Sequence, residues 1–275
     1  MLIGGEKERI HGLSNKLIIP ILTVGDGLWE YFNVKQLEEI RKRGNQVYAD
    51  ILDSFVWPEY NPLITKALSN LFELLDGMIV YSNYVSSILS SEFKNLKFRV
   101  IPHQWDNRYE FLGDFRRAKK TNIRVVYSGY PEGFQLNYND FSRHVDFVFD
   151  TKETTRQLNY RYHISYRNRD SLHALFKPAA KLATAAGVKA LLFTSEDASA
   201  KEILGDAWPL YFSSKEEFFD KYDNIFKNPD MEHALLHYVE TVIRLNLSPA
   251  SIADKFIKLY FDSLTGSKIN SDVRP

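Results

Sequence analysis

The chain has 275 residues, 44% of them hydrophobic and 25% charged, the profile of a folded protein with room for two domains of ordinary size. Lys+Arg and Asp+Glu both number 35, so the formal net charge is zero, and the basic excess by which proteins grip nucleic-acid phosphates in general is missing. There is no cysteine, which excludes disulfides, thiolate nucleophiles and cysteine-ligated zinc or iron–sulfur centres.

Aromatic residues make up 14% of the chain, with 16 Tyr and 19 Phe, so much of the core must be built from rings. The N-terminal segment MLIGGEKERIHG has no basic-then-apolar pattern. No apolar run approaches the ~18 residues of a spanning helix, and a cytoplasmic location is the expectation.

Lys16–Val24 (KLIIPILTV) reads as a strand that stops at Gly25-Asp26-Gly27, a turn with an acid at its centre. Leu28–Arg43 follows as a helix: Val34, Leu37 and Ile40 repeat at three-residue steps, and Gly44 stands at the stop position. Gln46–Leu52 reads as a buried strand ending in Asp53, and Pro58 and Pro62 break the connection beyond it. Leu63–Leu75 is predicted as an amphipathic helix and Gly77–Tyr81 as a strand. Ser82 is predicted as the N-cap of a helix through Leu89, and Phe98–Ile101 as a strand closed by Pro102. Strands alternating with helices at this spacing predict parallel βαβ units in an open, doubly wound sheet, with ligands at the carboxyl ends of the strands. Asp26, Asp53, Ser82 and His103 all fall just after predicted strands.

Arg116–Arg124 is polar and basic without an apolar period, and it reads as a solvated interdomain linker. A second α/β set begins at Ile123–Tyr127, followed by a turn at Ser128-Gly129-Tyr130-Pro131. Val145–Phe149 and Arg161–Ser165 read as strands, the latter leaving in the polar run Tyr166–Asp170. Pro178–Ala186 is predicted as a helix stopped by Gly187, and Ala190–Thr194 as the next strand. Lys215–Asn228 and Asp230–Arg244 read as surface helices, and Ile252–Leu264 as a last helix behind Ser248-Pro249. Thr265–Pro275 has few apolar residues and reads as a frayed tail.

The two-domain layout with a long closing helix resembles the GT-B glycosyltransferases, the group 1 enzymes in particular. The specific likeness lies between Tyr162 and Ser195. Phe176-Lys177-Pro178-Ala179-Ala180-Lys181 through Ala185-Ala186-Gly187-Val188-Lys189-Ala190 is similar to the family helix that ends Ala-Ala-Gly-Val-Pro-Val before a short apolar strand. Thr194-Ser195-Glu196 resembles the polar exit of that strand, and Lys201-Glu202-Ile203-Leu204 the helix after it. Ala49–Asp53 and Asp76–Ser82 look like the strands that such enzymes carry before Val100-Ile101-Pro102. The resemblance covers residues 45–265. It implies an α/β fold of two Rossmann-like doubly wound domains facing a cleft. An acceptor-side domain at 1–115 and a nucleotide-sugar donor domain at 116–247 would be followed by a closing helix at 248–264, which returns toward the N-terminal domain, and a flexible tail at 265–275.

The resemblance also implies a chemistry. A nucleotide-sugar donor carries a diphosphate whose charge grows as the glycosidic bond breaks, and the protein must neutralise it with cations or helix N-terminal N–H groups. Arg167 in the loop after a strand, with Lys177 and Lys181 at the start of a helix, makes a diphosphate clamp that needs no metal. Ser128, Gly129, His163, Asn168 and Thr184 complete the expected donor-site set. Asn in a loop also commonly bonds its own backbone, and a histidine inside a strand is often a satisfied core residue. For an inverting enzyme, a base must deprotonate the acceptor hydroxyl. Asp26, between two glycines at a strand end, is the first candidate, then Asp53, then His103. His233 and His237 lie four apart on a predicted helix without a third ligand, so no metal site is expected.

One family feature is missing. The two glutamates that retaining enzymes place around this helix, the second of which holds the donor ribose, fall on Ala174 and Leu182, and no acid occurs between Ser171 and Thr194. The expected activity is transfer of a sugar from a nucleotide-sugar donor to a hydroxyl on a glycan, a lipid-linked sugar or, as in phage enzymes, a hydroxylated DNA base. The missing acid leaves open a non-catalytic scaffold or regulatory subunit of the same fold, or another α/β sugar-phosphate binder.

Overall fold

The structure, a computed structural model, describes residues 17–18, 21–22, 34–51, 72–106, 122–129, 133–149, 159–168 and 177–264. These fall in two compact units, one drawn from Met1–Val80, Val85–Ile101 and Ala253–Pro275, the other from Tyr81–Tyr84 and Pro102–Ile252. The turn with Asp26, the end of the strand at Asp53 and most of the helix predicted at 63–75 lie outside the described residues.

In the first unit, β1 (Leu17–Ile18) and β2 (Ile21–Leu22) both pair with β3 (Gln46–Ile51), followed by β4 (Gly77–Val80) and β5 (Lys97–Val100), all parallel, and helix α2 (Asn83–Glu92) comes between β4 and β5 in the chain. Helix α1 (Val34–Lys42) packs Leu37 and Ile40 inward and stops at Gly44, whose φ of 76° is the left-handed conformation that the predicted stop requires. Asp76 ties the starts of two strands together, accepting from the Val47 N–H at 2.8 Å while pairing with Arg41 at 3.1 Å. The last helix, α7 (Pro249–Leu264), ends on this sheet: Gln46 donates to the Ser263 carbonyl at 2.7 Å, and Arg99 meets Asp262 at 3.5 Å.

The second unit holds β6 (Asn122–Ser128), β7 (Val145–Val148), β8 (Tyr160–Ser165) and β9 (Leu191–Thr194), parallel and in the order β7-β6-β8-β9. The polar stretch predicted as linker ends inside β6, where Arg124 bonds Asp146 at 2.7 Å and the carbonyls of Ser142 and Arg143. The charge of Arg124 is therefore used within the sheet. Helices α3 (Ala180–Gly187), α4 (Ala198–Leu204), α5 (Lys215–Lys227) and α6 (Pro229–Tyr238) follow, and a π-turn at Val239–Ile243 carries the chain on toward α7. The aromatic content has its use here, since Phe141, Tyr162, Phe193, Phe218 and Tyr222 pack ring against ring between sheet and helices. Trp105 anchors the start of this unit: its backbone N–H reaches the Leu247 carbonyl, its indole N–H the Arg244 carbonyl, and the Arg244 guanidinium lies over its ring at 4.6 Å.

At the amino end of β8, the buried Glu232 carboxylate accepts from Tyr162 at 2.6 Å and from Arg161 at 2.5 Å. Removing one member of such a buried set leaves a charge or donor without compensation. Glu232→Ala is therefore expected to lower stability by about 3 kcal/mol in a denaturant melt; a loss within ~0.5 kcal/mol would show that the network carries no load.

Candidate functional site

Strand order reverses at β6. Its successor β7 lies on one side and β8 on the other, and a parallel sheet opens a crevice at the carboxyl ends where connections diverge. Ser128 ends β6, and Gly129 follows with φ of 145°, its N–H bonded to the Val148 carbonyl at 3.1 Å. The φ of Gly129 favours glycine, and a Cβ added there would stand 2.6 Å from the Lys181 Nζ and push that flexible amine aside.

Lys181 lies in the first turn of α3. Its ammonium donates to the Ser128 carbonyl and sits over the Tyr127 ring, 4.3 Å from its centroid. Burial, and after it the Arg167 charge, push the pKa of this amine down to about 8. Small residues allow that approach, because Ala183, Ala186 and Gly187 are buried and bring α3 close to the sheet. The helix begins at Ala180, two residues later than Pro178 suggested, and Lys189 takes the left-handed φ of 55° beyond its end. A proline cannot adopt that φ, so a lysine there, in place of the family's proline, fits the observed backbone.

Arg167 follows β8 and is largely buried. Its guanidinium donates to the carbonyls of Lys177 (3.4 Å) and Pro178 (3.1 Å), and Asp197 lies 3.9 Å away. Asp197 also caps α4 through the Ala200 N–H at 2.8 Å. Burial raises the Asp197 pKa, against the opposing pull of Arg167 and of its hydrogen bonds. Lys177 contributes its carbonyl to this cluster, accepting also from Ser199 at 2.8 Å. The Asn168 N–H donates to Gln135 at 2.5 Å, which ties the loop after β8 to the one after β6.

Beside Arg167 a cavity of about 240 Å³ is lined by Tyr166, Asn168, Ser195, Glu196, Phe212, Ser213 and Glu217. The Arg167 N–H donates to the Ser195 hydroxyl at 3.0 Å, which joins the cavity to the cation cluster. Of the expected donor-site residues, Ser128, Gly129, Arg167, Asn168, Lys177 and Lys181 gather around the ends of β6 and β8. His163 is buried within β8, and the Thr184 hydroxyl bonds the Ala180 carbonyl of its own helix at 3.0 Å. His103 is exposed, its Nδ1 2.8 Å from the Gln104 carbonyl oxygen. Sequence reasoning missed Tyr127, Tyr166, Asp197, Glu196, Phe212, Ser213 and Glu217. The polar exit from β9 was the one available signal among them. Among the described residues, no three His, Asp or Glu side chains are grouped to hold a metal, and no helix is long and apolar enough to cross a membrane.

No protein-family model matches the chain, and no curated protein matches it in sequence. Solved structures do match in fold. The UDP-glucose complex of Anabaena HepE superposes with a TM-score of 0.61 at 9% identity, over 92% of this chain and 80% of that one. An alpha-glucosyltransferase in complex with UDP-glucose and DNA containing an abasic site gives 0.62 at 8% identity, over 93% and 83%. The GtfA/B complex gives 0.59 at 10% identity over 94% of this chain, which spans 59% of the length of the chain it matches. These matches are GT-B glycosyltransferases, and the fold of this chain is the GT-B fold.

The buried amine makes a stability prediction. Because the pKa of Lys181 is about 8 in the fold against 10.5 as its ordinary value, the unfolded chain binds this proton more tightly. The resulting destabilisation, at most roughly 3 kcal/mol, is fully present below pH ~8 and relieved as pH rises toward ~10.5. Lys181→Met should melt higher than the parent at neutral pH, with the gap closing between pH ~8 and ~10. A gap that stays constant or widens over that window would refute the burial of a charged amine.

Proposed function

Starting from a GT-B fold shared with nucleotide-sugar glycosyltransferases, we propose that this protein transfers a sugar from a nucleoside-diphosphate sugar to an acceptor hydroxyl. The observation that carries this reading is the pair of cations, Lys181 and Arg167, buried where strand order reverses, with the Gly129 backbone beside them. A diphosphate arriving there would replace the Ser128 carbonyl as the partner of the Lys181 ammonium. Its charge would raise the lowered pKa of that amine, so the ammonium would be bound most strongly as the leaving group gains charge. Arg167, held by two carbonyls and Asp197, is fixed in place before the donor arrives, which limits reorganisation during the reaction. Lys177 stands beside this pair as a further candidate ligand of the diphosphate. The clamp supplies positive charge from the protein itself, consistent with a donor subsite that works without a metal.

The acceptor is a hydroxyl compound, with a glycan or a lipid-linked sugar as the leading classes. Asp26, Asp53 and His103 remain the candidates for the base. One of Asp26→Asn, Asp53→Asn and His103→Gln should lower kcat by roughly 10²–10⁴-fold with donor affinity unchanged.

The donor reading is tested by thermal shift with UDP, GDP, ADP, CMP and dTDP. At least one nucleotide should raise the melting temperature. Lys181→Ala should weaken that nucleoside diphosphate about tenfold or more while its parent nucleoside changes little. If the panel gives no shift, or diphosphate and nucleoside lose affinity equally, the clamp is wrongly assigned.

A further inference from the structure

Among the described residues, the half-buried arginines Arg41, Arg99, Arg124, Arg161 and Arg167 each meet a carboxylate. Arg244 is half-buried too, yet its guanidinium makes no ion pair or hydrogen bond among the described residues, and its Nε is buried without a partner. What it does meet is the face of Trp105, 4.6 Å from the ring centroid. An aromatic face returns about 0.5–2 kcal/mol to a cation, less than a guanidinium loses when it is taken out of water. The protein therefore holds this charge without supplying its counter-ion.

Local structure explains how the charge comes to stand there. The chain passes through the π-turn Val239–Ile243, closed by a bond from the Arg244 N–H to the Val239 carbonyl. Such turns are rare and recur at functional sites. On a regular helix Glu240, four residues earlier, would be the natural partner of Arg244. Glu240 meets Lys189 at 3.8 Å instead. The guanidinium turns to Trp105, which is 1% exposed and pinned by the Arg244 and Leu247 carbonyls. A guanidinium lying on an indole keeps its N–H donors around its rim, where they match two oxygens of an oxyanion in parallel bonds. A phosphate ester brings up to two charges and three terminal oxygens, more than a carboxylate offers. Val242 and Leu245, exposed on the same stretch of chain, give apolar surface that a phosphate with an apolar tail could use.

We propose that Arg244, stacked on Trp105, binds a phosphate ester, either a soluble one or a lipid headgroup. The site lies within the second unit and shares no residue with the clamp at Lys181 and Arg167. It stands or falls independently of the donor reading.

The Trp105 indole N–H bonds the Arg244 carbonyl, so its NMR signal reports on this arginine directly. The chain has 4 tryptophans, and Trp→Phe variants assign the signal. Inorganic phosphate, titrated into the full chain at constant ionic strength, should move that signal to saturation. Arg244→Gln should weaken the response about tenfold or more. Arg244→Lys keeps the charge but loses the stacked fork, and should weaken it less. Lys181→Met should leave the midpoint within about twofold of the parent. Should Arg244→Gln not fold, Arg244→Lys decides, since an unchanged midpoint there would refute the stacked guanidinium. Sedimentation with phosphatidylcholine vesicles, with and without phosphatidic acid, separates the two sources. Capture by the phosphatidic acid vesicles that is lost in Arg244→Gln assigns a lipid phosphate, and a phosphate response without capture assigns a soluble ester. A flat titration, a response that survives Arg244→Gln, a response lost in Lys181→Met, or an equal response to acetate overturns the site.

Discussion

A charged amine held out of water is tolerated only where its surroundings return part of what hydration supplied. Lys181 receives one carbonyl and the face of one tyrosine, and these do not fully compensate, since its proton affinity is depressed to about 8. Much of the second unit is arranged around that amine. Alanines and a glycine let α3 approach the sheet, Gly129 leaves room for the Nζ, and Arg167 adds a second cation instead of relieving the first. Such an arrangement is costly for folding and useful for binding an anion, and sites with that balance are characteristic of function.

The alternating pattern of strands and helices was readable because apolar periodicity and glycine stops are local signals. Gly44 ends α1 as expected, and β3, β4, β8 and β9 lie within a residue or two of their predicted bounds. Where distant segments decide, the sequence was silent. The N–H groups of Asn83 and Tyr84, at the start of the helix predicted behind Ser82, donate to Glu202, more than a hundred residues away. The predicted linker ends in β6 because Arg124 finds Asp146 on the neighbouring strand, a pairing invisible to periodicity.

The candidate site shows the same division. Arg167, Lys177 and Lys181 were legible because a helix start after a polar loop is a local motif. That Arg167 spends its donors on the Lys177 and Pro178 carbonyls, and that Asp197 stands behind it, depends on how three strand exits converge. The cavity lining combines residues after β8, after β9 and from the start of α5, which no window along the chain brings together. The absence of an acid on α3 was legible in the sequence because it is a property of one short segment.

The central claim is that Lys181 meets the diphosphate of a nucleotide donor, and its own titration reports on this most directly. Side-chain nitrogen NMR of Lys181, assigned by comparison with Lys181→Met, would follow the amine from pH ~6 to ~11 with and without the nucleoside diphosphate that binds. The account predicts a midpoint near 8 without ligand and a rise of about one unit or more with it, because a neighbouring phosphate favours the charged form. A midpoint that nucleotide binding leaves unmoved would contradict it.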